Sequence, residues 1–184
     1  CQRGRTGLPA KVVDPVESTV REDVPSALDD RGHSSFPDPL IDLARVRSGG
    51  PPPDGIPAID DPWFQRADTV DWLDPQEAVL SLELDGVARA YPIQILHWHE
   101  LVNDTVAGVP VTISYCPLCN SALAYDRRVG DRVLDFGTSG SLYNSSMVMY
   151  DRQTESLWTH FDGRAIAGHP VSYTHLTLPT NGCV

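Results

Sequence analysis

Two cysteines three positions apart are the residues of this sequence best suited to chemistry. Cys116 and Cys119 enclose Pro117 and Leu118, and proline is favoured at the second position of a tight turn. Such a turn brings two sulfur atoms within reach of a disulfide bond or of one metal ion. Three roles are therefore open for the pair: a thiol redox couple, half of a soft-metal site, or a structural disulfide.

Two histidines upstream of the cysteines decide how a metal ion would complete its ligand set. In a strand, His97 and His99 would point the same way and both would join the sulfurs, whereas in a helix they diverge by about 200°. We predict a helix from Pro92 to Asn103, because proline suits a first helical turn. The helix favours His99 over His97 as the third ligand of a copper or zinc site.

Further site candidates lie outside this motif. Residues 137–141 are small and predict a loop whose backbone passes close to another segment, such as the cysteine turn. The stretch 151–155 has the composition of a hairpin turn with a local ion pair. The additional candidates are Glu100 beside His99, Tyr143 and Asn144 as hydrogen-bonding residues, and Arg152 and Glu155 as the rim of a pocket. A hydrolase that uses Asp60, Asp61 or Glu100 lacks a recognisable set of residues.

The fold that positions these residues is predicted to be mainly β with minor α content. A chain of 184 residues with 14 glycines and 16 prolines suits one domain of short strands and tight turns. Two-residue turns at Asp85-Gly86, Ala107-Gly108 and Gly130-Asp131, with the turn at 152–155, predict four hairpins. We expect antiparallel hairpins to form a barrel or sandwich with one short helix.

The charge of the chain excludes one class of partner. The formal net charge is −11, and no cluster of lysine and arginine forms a basic patch, so nucleic-acid binding is not expected. The chain has no run of 18 or more apolar residues, so no membrane-spanning helix is predicted.

The two ends of the chain are expected to lie outside the domain. Residues 1–53 are rich in proline, glycine and polar residues and predict a flexible tether. The first residue, Cys1, is typical of a processed bacterial lipoprotein whose thiol carries the lipid anchor. Residues 54–170 would form the single β-rich domain. Residues 171–184 look like a translated sequencing adapter, of the kind that is sometimes appended to a gene at the end of an assembled metagenomic fragment. We therefore expect these residues to be a foreign tail.

Several motifs in order resemble the bacterial family called domain of unknown function 3179. The matching segments are 54–57, 88–92, 98–100, 102–105, 115–119, 136–145 and 149–158. The resemblance implies a secreted or lipid-anchored protein of unsettled function, and it also favours His99, because the family commonly has another polar residue at the position of His97. Members generally continue past residue 170, so we expect the domain to be incomplete at its C-terminal end.

Two hypotheses follow for the function, and neither decides whether the protein is an enzyme. In the first, an extracytoplasmic lipoprotein of the periplasm or cell surface uses Cys116, Cys119 and His99 to bind copper or zinc or to exchange electrons with a partner protein. In the alternative, the domain is a non-catalytic surface binding module whose cysteines form a structural disulfide. A structural disulfide would be buried and resistant to mild reductant, whereas a redox or metal pair would be accessible.

Overall fold

The computed structural model describes residues 24–169 and 176–177. Strands make up 43% and helices 9% of the structure, which confirms the mainly β prediction. In chain order the strands are β1 (Val46–Ser48), β2 (Ile59–Asp60), β3 (Val79–Leu84), β4 (Val87–Pro92), β5 (Leu101–Val106), β6 (Val109–Cys116), β7 (Ser121–Asp126), β8 (Arg128–Val129), β9 (Arg132–Val133), β10 (Phe136–Tyr143), β11 (Ser146–Asp151), β12 (Leu157–Thr159) and β13 (Ala165–Ala167). The helix α1 is Ile93–His99, and two short 3-10 helices are Leu43–Arg45 and Ala67–Thr69.

The strands form two main sheets that curl into half of a barrel. One sheet has the strand order β1-β10-β11-β12-β13, and the other has the order β2-β5-β6-β7. Strand β2 pairs with β5 in parallel, whereas the other neighbours are antiparallel. The hairpins β3-β4 and β8-β9 stand apart as two-stranded sheets. No helix of the described residues is long and apolar enough to cross a membrane.

The hydrophobic core that matters most for the site combines residues from both main sheets. Its buried members include Leu101, Cys116 and Tyr125 of one sheet and Phe136, Met147, Met149 and Trp158 of the other. A polar side chain also joins the sheets: the Asn103 amide donates to the Phe136 carbonyl at 2.8 Å and accepts from the Phe136 N–H at 3.1 Å. The cysteine pair is therefore built into the junction of the two sheets.

The four predicted turns are present, but the third hairpin is shorter than expected and the predicted helix is too long. The third hairpin was expected to pair residues 122–129 with 132–136, whereas only β8 and β9 pair there and residues 121–126 pair with β6. Strands pair around Asp85-Gly86, Ala107-Gly108, Gly130-Asp131 and the turn at 152–155. The helix was expected to reach Asn103, yet it ends at His99 because Glu100 adopts a positive φ of 58° that breaks the helical path. Asn103 instead lies in β5.

The small residues 137–141 belong to a strand, which corrects their interpretation as a loop. They lie in β10, which pairs with β1 and β11 and has an irregularity between Thr138 and Ser141. A close approach does occur, but the neighbour is the segment 51–54 and not the cysteine turn. A Cβ on Gly140, whose φ is +70°, would lie 1.9 Å from the Pro51 carbonyl oxygen, so only glycine fits there.

The structure places parts of both predicted terminal regions against the domain. Within the predicted tether 1–53, Ala27 and Val46 are buried and β1 pairs with β10. Within the predicted tail 171–184, the Leu176 N–H donates to the Gly163 carbonyl and the Thr177 carbonyl accepts from the Asp126 N–H. Cys1 lies outside the described residues, and the foreign origin of the tail stays a prediction.

Candidate dithiol site

A four-residue connection between β6 and β7 holds the two cysteines side by side. Cys116 ends β6 opposite Ser121, which begins β7. The Cys119 N–H donates to the Cys116 carbonyl at 3.3 Å, the hydrogen bond of a β-turn, in which the first and last Cα atoms lie within about 7 Å of each other. That separation is compatible with a disulfide. Both cysteines are free thiols in this structure.

The two sulfurs have unequal surroundings. Cys116 is 1% exposed, and burial raises the pKa of its thiol, with a hydrogen bond to Cys119 adding to the rise. Cys119 is half-buried, and its Sγ lies 3.1 Å from Ser121 Oγ and 3.8 Å from Ser146 Oγ. Burial alone would raise the pKa of Cys119, but hydrogen bonds from Cys116, Ser121 and Ser146 outweigh it and lower that pKa. Cys119 is therefore the more readily ionised thiol.

A histidine from the opposite sheet completes the group. His160 directly follows β12 and is completely buried. Its Nδ1 lies 2.6 Å from Ser114 Oγ and its Nε2 lies 2.8 Å from Ser121 Oγ. The Tyr125 hydroxyl donates to the His160 carbonyl at 2.8 Å and fixes the backbone there. We call Cys116, Cys119, Ser114, Ser121, Ser146 and His160 the dithiol site.

The two histidines proposed from the sequence lie on α1, and their ring nitrogens bond to other residues than the cysteines. His99 Nδ1 lies 2.8 Å from the Pro57 carbonyl oxygen. His97 Nδ1 lies 3.0 Å from the Ile93 carbonyl oxygen, and its Nε2 lies 3.3 Å from the Tyr115 hydroxyl. Tyr115 in turn donates to the side chain of Asn120 at 3.2 Å. His97, not His99, is thus linked to the cysteine turn by hydrogen bonds.

The described residues contain no group of three or more His, Cys, Asp or Glu side chains placed to share a metal ion. Cys116, Cys119 and His99 therefore do not form such a set here. Copper or zinc binding by these residues stays a prediction.

The remaining candidates make contacts that hold segments of the fold together. Arg45 contacts the Tyr143 ring at 5.3 Å and donates to Asn144 Oδ1 at 2.5 Å. Arg152 pairs with Asp54 at 3.3 Å and Asp60 at 2.7 Å.

Glu100 and Glu155 hold turns in place. Glu100 is half-buried at the end of α1, where burial raises its pKa, and its carbonyl accepts from the Tyr115 N–H. The Glu155 backbone bonds to Asp151 and Ala27. The role of the five additional candidates in a functional site stays a prediction.

Sequence reasoning missed the four residues that surround the sulfurs. A four-residue turn fixes the register of β6 and β7, so Ser121 and Ser114 could have been found by extending the hairpin from Cys116. No local signal identifies Ser146 or His160, because both come from the other main sheet.

The buried His160 should make the stability of the domain depend on pH. Burial lowers its pKa from 6.5 to about 4, so between these values the unfolded chain binds a proton that the folded protein does not. The stability that the neutral ring contributes is present above pH 6.5 and is lost as the pH falls, by about 3 kcal/mol at pH 4. Urea unfolding of the parent and of His160→Gln at pH 7 and pH 4 checks this. Equal losses in the two proteins would contradict it.

Comparison with known proteins identifies a family but no characterised relative. A family model described as a protein of unknown function (DUF3179) matches residues 53–180. That range includes every residue of the dithiol site. No curated protein and no solved structure matches the chain.

Proposed function

Because the chain belongs to the DUF3179 family, whose function is unknown, its activity has to be inferred from its site, and we propose that it performs thiol–disulfide exchange. Cys119 would be the attacking thiol and Cys116 the resolving thiol. The partner would be a protein that presents a disulfide or a dithiol. A lipid anchor on Cys1, as proposed from the sequence, would place this exchange outside the cytoplasm, at a membrane surface where disulfides persist.

The observation that carries the proposal is the inequality of the two neighbouring sulfurs. The attacking thiol of an exchange reaction must ionise easily and be reachable, and Cys119 is half-buried with a lowered pKa. The resolving thiol needs only to lie beside it, protected from other reagents, and Cys116 is buried with a raised pKa. A purely structural pair requires no such difference.

The exchange reaction takes two steps, in which atoms and electrons balance. The Cys119 thiolate attacks one sulfur of the partner disulfide; the partner S–S bond breaks, and its second sulfur leaves with the electron pair and takes up a proton. The Cys116 thiol then loses its proton and attacks Cys119 Sγ, which releases the first partner sulfur as a thiol. The partner gains two electrons and two protons, and the domain ends with a Cys116–Cys119 disulfide. The reverse sequence oxidises a partner dithiol.

The exposed tip of the turn suits a protein partner. Leu118 is 70% exposed between the two cysteines, and Phe161, next to His160, is 55% exposed. A partner that reaches Cys119 would therefore meet the exposed Leu118 side chain of the same turn, which can be buried on association.

The test is to equilibrate the full chain with mixtures of reduced and oxidised glutathione and to measure the Cys116–Cys119 disulfide by mass spectrometry. We expect a reversible transition within the range that the glutathione ratio can set. A pair that stays reduced in oxidised glutathione alone, or a disulfide that resists reduced glutathione, would contradict the proposal. The second result would favour the alternative of a stapled, non-catalytic binding module.

Metal analysis of the same preparation separates exchange from soft-metal binding. Two thiolates are suitable ligands for zinc or cuprous copper. Near-stoichiometric metal that is lost in Cys116→Ser and in His99→Ala would replace the exchange proposal with a metal-binding role. Metal-free protein that completes the glutathione transition would support exchange.

A further inference from the structure

We propose that His160 is a positioning residue that aims the Ser121 hydroxyl at Cys119 Sγ, within a chain of hydrogen bonds that begins at Ser114. The inference deepens the proposed exchange function, on which it rests, because it names the group that prepares the attacking sulfur. It concerns residues from both main sheets: Ser114 and Ser121 lie on β6 and β7, and His160 follows β12.

The four groups form a continuous path. Ser114 Oγ lies 2.6 Å from His160 Nδ1, His160 Nε2 lies 2.8 Å from Ser121 Oγ, and Ser121 Oγ lies 3.1 Å from Cys119 Sγ. All three separations are within hydrogen-bonding range. The hydrogen-bonded route from the His160 ring to the Cys119 sulfur therefore passes through Ser121.

The burial of Ser114 determines which atom donates in the hydrogen bond between Ser114 and His160. Ser114 is 0% exposed, and its contact with His160 is the one side-chain hydrogen bond that its hydroxyl makes among the residues described. If Nδ1 carried the proton, it would donate to Ser114 Oγ and leave the buried hydroxyl proton without an acceptor, which is costly. The Ser114 hydroxyl therefore donates to Nδ1.

The hydrogen bond from Ser114 to His160 also determines which atom donates between His160 and Ser121. A neutral imidazole has one N–H donor and one acceptor nitrogen, and the complete burial of His160 favours the neutral ring. When Nδ1 accepts from Ser114, the proton is on Nε2, which donates to Ser121 Oγ. The single proton of the Ser121 hydroxyl is then free to point at Cys119 Sγ.

A hydroxyl that points at the sulfur stabilises the thiolate. Hydrogen bonds to a charged acceptor are stronger than neutral ones, and aligned donors polarise one another along a chain. Three other groups face Cys119: the Cys116 thiol, the Cys116 carbonyl oxygen at 3.9 Å and the Ser146 hydroxyl of β11 at 3.8 Å. None of them is hydrogen-bonded to His160, so Ser121 is the donor whose direction the histidine controls.

The first test is the tautomer of His160, measured by ¹⁵N NMR of the full chain at neutral pH. We expect the Nε2–H tautomer. The Nδ1–H tautomer would reverse every hydrogen bond in the path and overturn the proposal. This spectroscopic measurement does not depend on any substitution and so cannot fail through misfolding.

The second test is the rate at which iodoacetamide alkylates Cys119 at pH 7, followed by peptide mapping so that each cysteine is scored separately. We expect about a tenfold decrease in Ser121→Ala, recovery in Ser121→Thr, and about a threefold decrease in Ser114→Ala, which removes the start of the path. Thr112→Val is the matched control: Thr112 is buried on the same strand as Ser114, but its hydroxyl has no hydrogen-bond partner among the residues described. Its rate should equal that of the parent.

An unchanged alkylation rate in Ser114→Ala, or equal decreases in Ser114→Ala and Thr112→Val, would overturn the inference. Alkylation reports the state of one thiol and requires no partner disulfide. If the path is confirmed but the glutathione transition is absent, the exchange function fails and the positioning of Cys119 stands. If the glutathione transition is observed but the path is not confirmed, the exchange function stands without a role for His160.

Discussion

Oxidised glutathione should react with the dithiol site far more slowly when Cys119 is replaced by serine, and should form a lasting adduct when Cys116 is replaced instead. Exchange rates follow the thiolate fraction and the access of the attacking sulfur. Cys116 is 1% exposed with a pKa that burial raises, so Cys119→Ser should slow the reaction by about two orders of magnitude. In Cys116→Ser the attacking thiol remains, but nothing resolves the mixed disulfide.

Mass spectrometry of the full chain measures both outcomes. The variants are made with Cys1 and Cys183 replaced by serine, so that only the site thiols react. The protein that keeps both site cysteines is the control, and it should pass through the adduct to an internal disulfide. If the two single variants form adducts at similar rates, or if Cys119→Ser reacts faster, the assignment of attacking and resolving thiols is wrong.

Local sequence patterns were sufficient to predict most of the fold near the site. Turns at Asp85-Gly86 and Ala107-Gly108 need positive φ angles, which the structure has at both positions of each turn. Such residues encode a hairpin without help from the rest of the chain. The hairpin that leads into Cys116 was therefore predictable. The next one, which places Cys116 opposite Ser121, was not predicted, because residues 122–129 were paired with the segment that follows them.

Elements that depend on distant contacts were predicted poorly. Strand β10 has glycine and serine where strands usually have branched residues, because the segment 51–54 crosses it closely, as the Gly140 environment shows. The helix was predicted past His99, because its end is set by the conformation of Glu100 and by the bond from Tyr115 N–H to the Glu100 carbonyl.

The site itself could be predicted only in part, for the same reason. Cys116 and Cys119 are recognisable from their spacing, and the serines of β6 and β7 follow from register. His160 reaches them because the two main sheets share one hydrophobic core, and β12 carries no motif that indicates this contact. The nearest histidines in sequence, His97 and His99, were chosen instead, although their ring nitrogens bond to Tyr115 and to main-chain carbonyls.

A buried carboxylate behind the site should have the largest effect on stability. Asp151 is 0% exposed and ends β11. It accepts from Trp158 Nε1 at 2.9 Å, from the Thr154 N–H at 2.7 Å and from the Thr154 hydroxyl at 2.9 Å. Asp151→Ala would leave the buried Trp158 Nε1–H and Thr154 N–H without an acceptor and would leave a cavity, so we expect it to lower the free energy of unfolding by about 4 kcal/mol.

The matched variant removes a donor and keeps the acceptor. Thr154→Val removes the hydroxyl that donates to Asp151 and also contacts Ser156 Oγ at 2.8 Å. The carboxylate keeps its bonds to Trp158 and to the Thr154 N–H, so the expected loss is about 2 kcal/mol. Urea unfolding at pH 7 measures both variants. Since Trp158 packs edge-on against Phe136 in the core behind the cysteines, near-ultraviolet circular dichroism should also change in Asp151→Ala. Equal losses of stability in the two variants would mean that Asp151 contributes no more than one ordinary hydrogen bond, and that the Trp158 ring is held by packing alone.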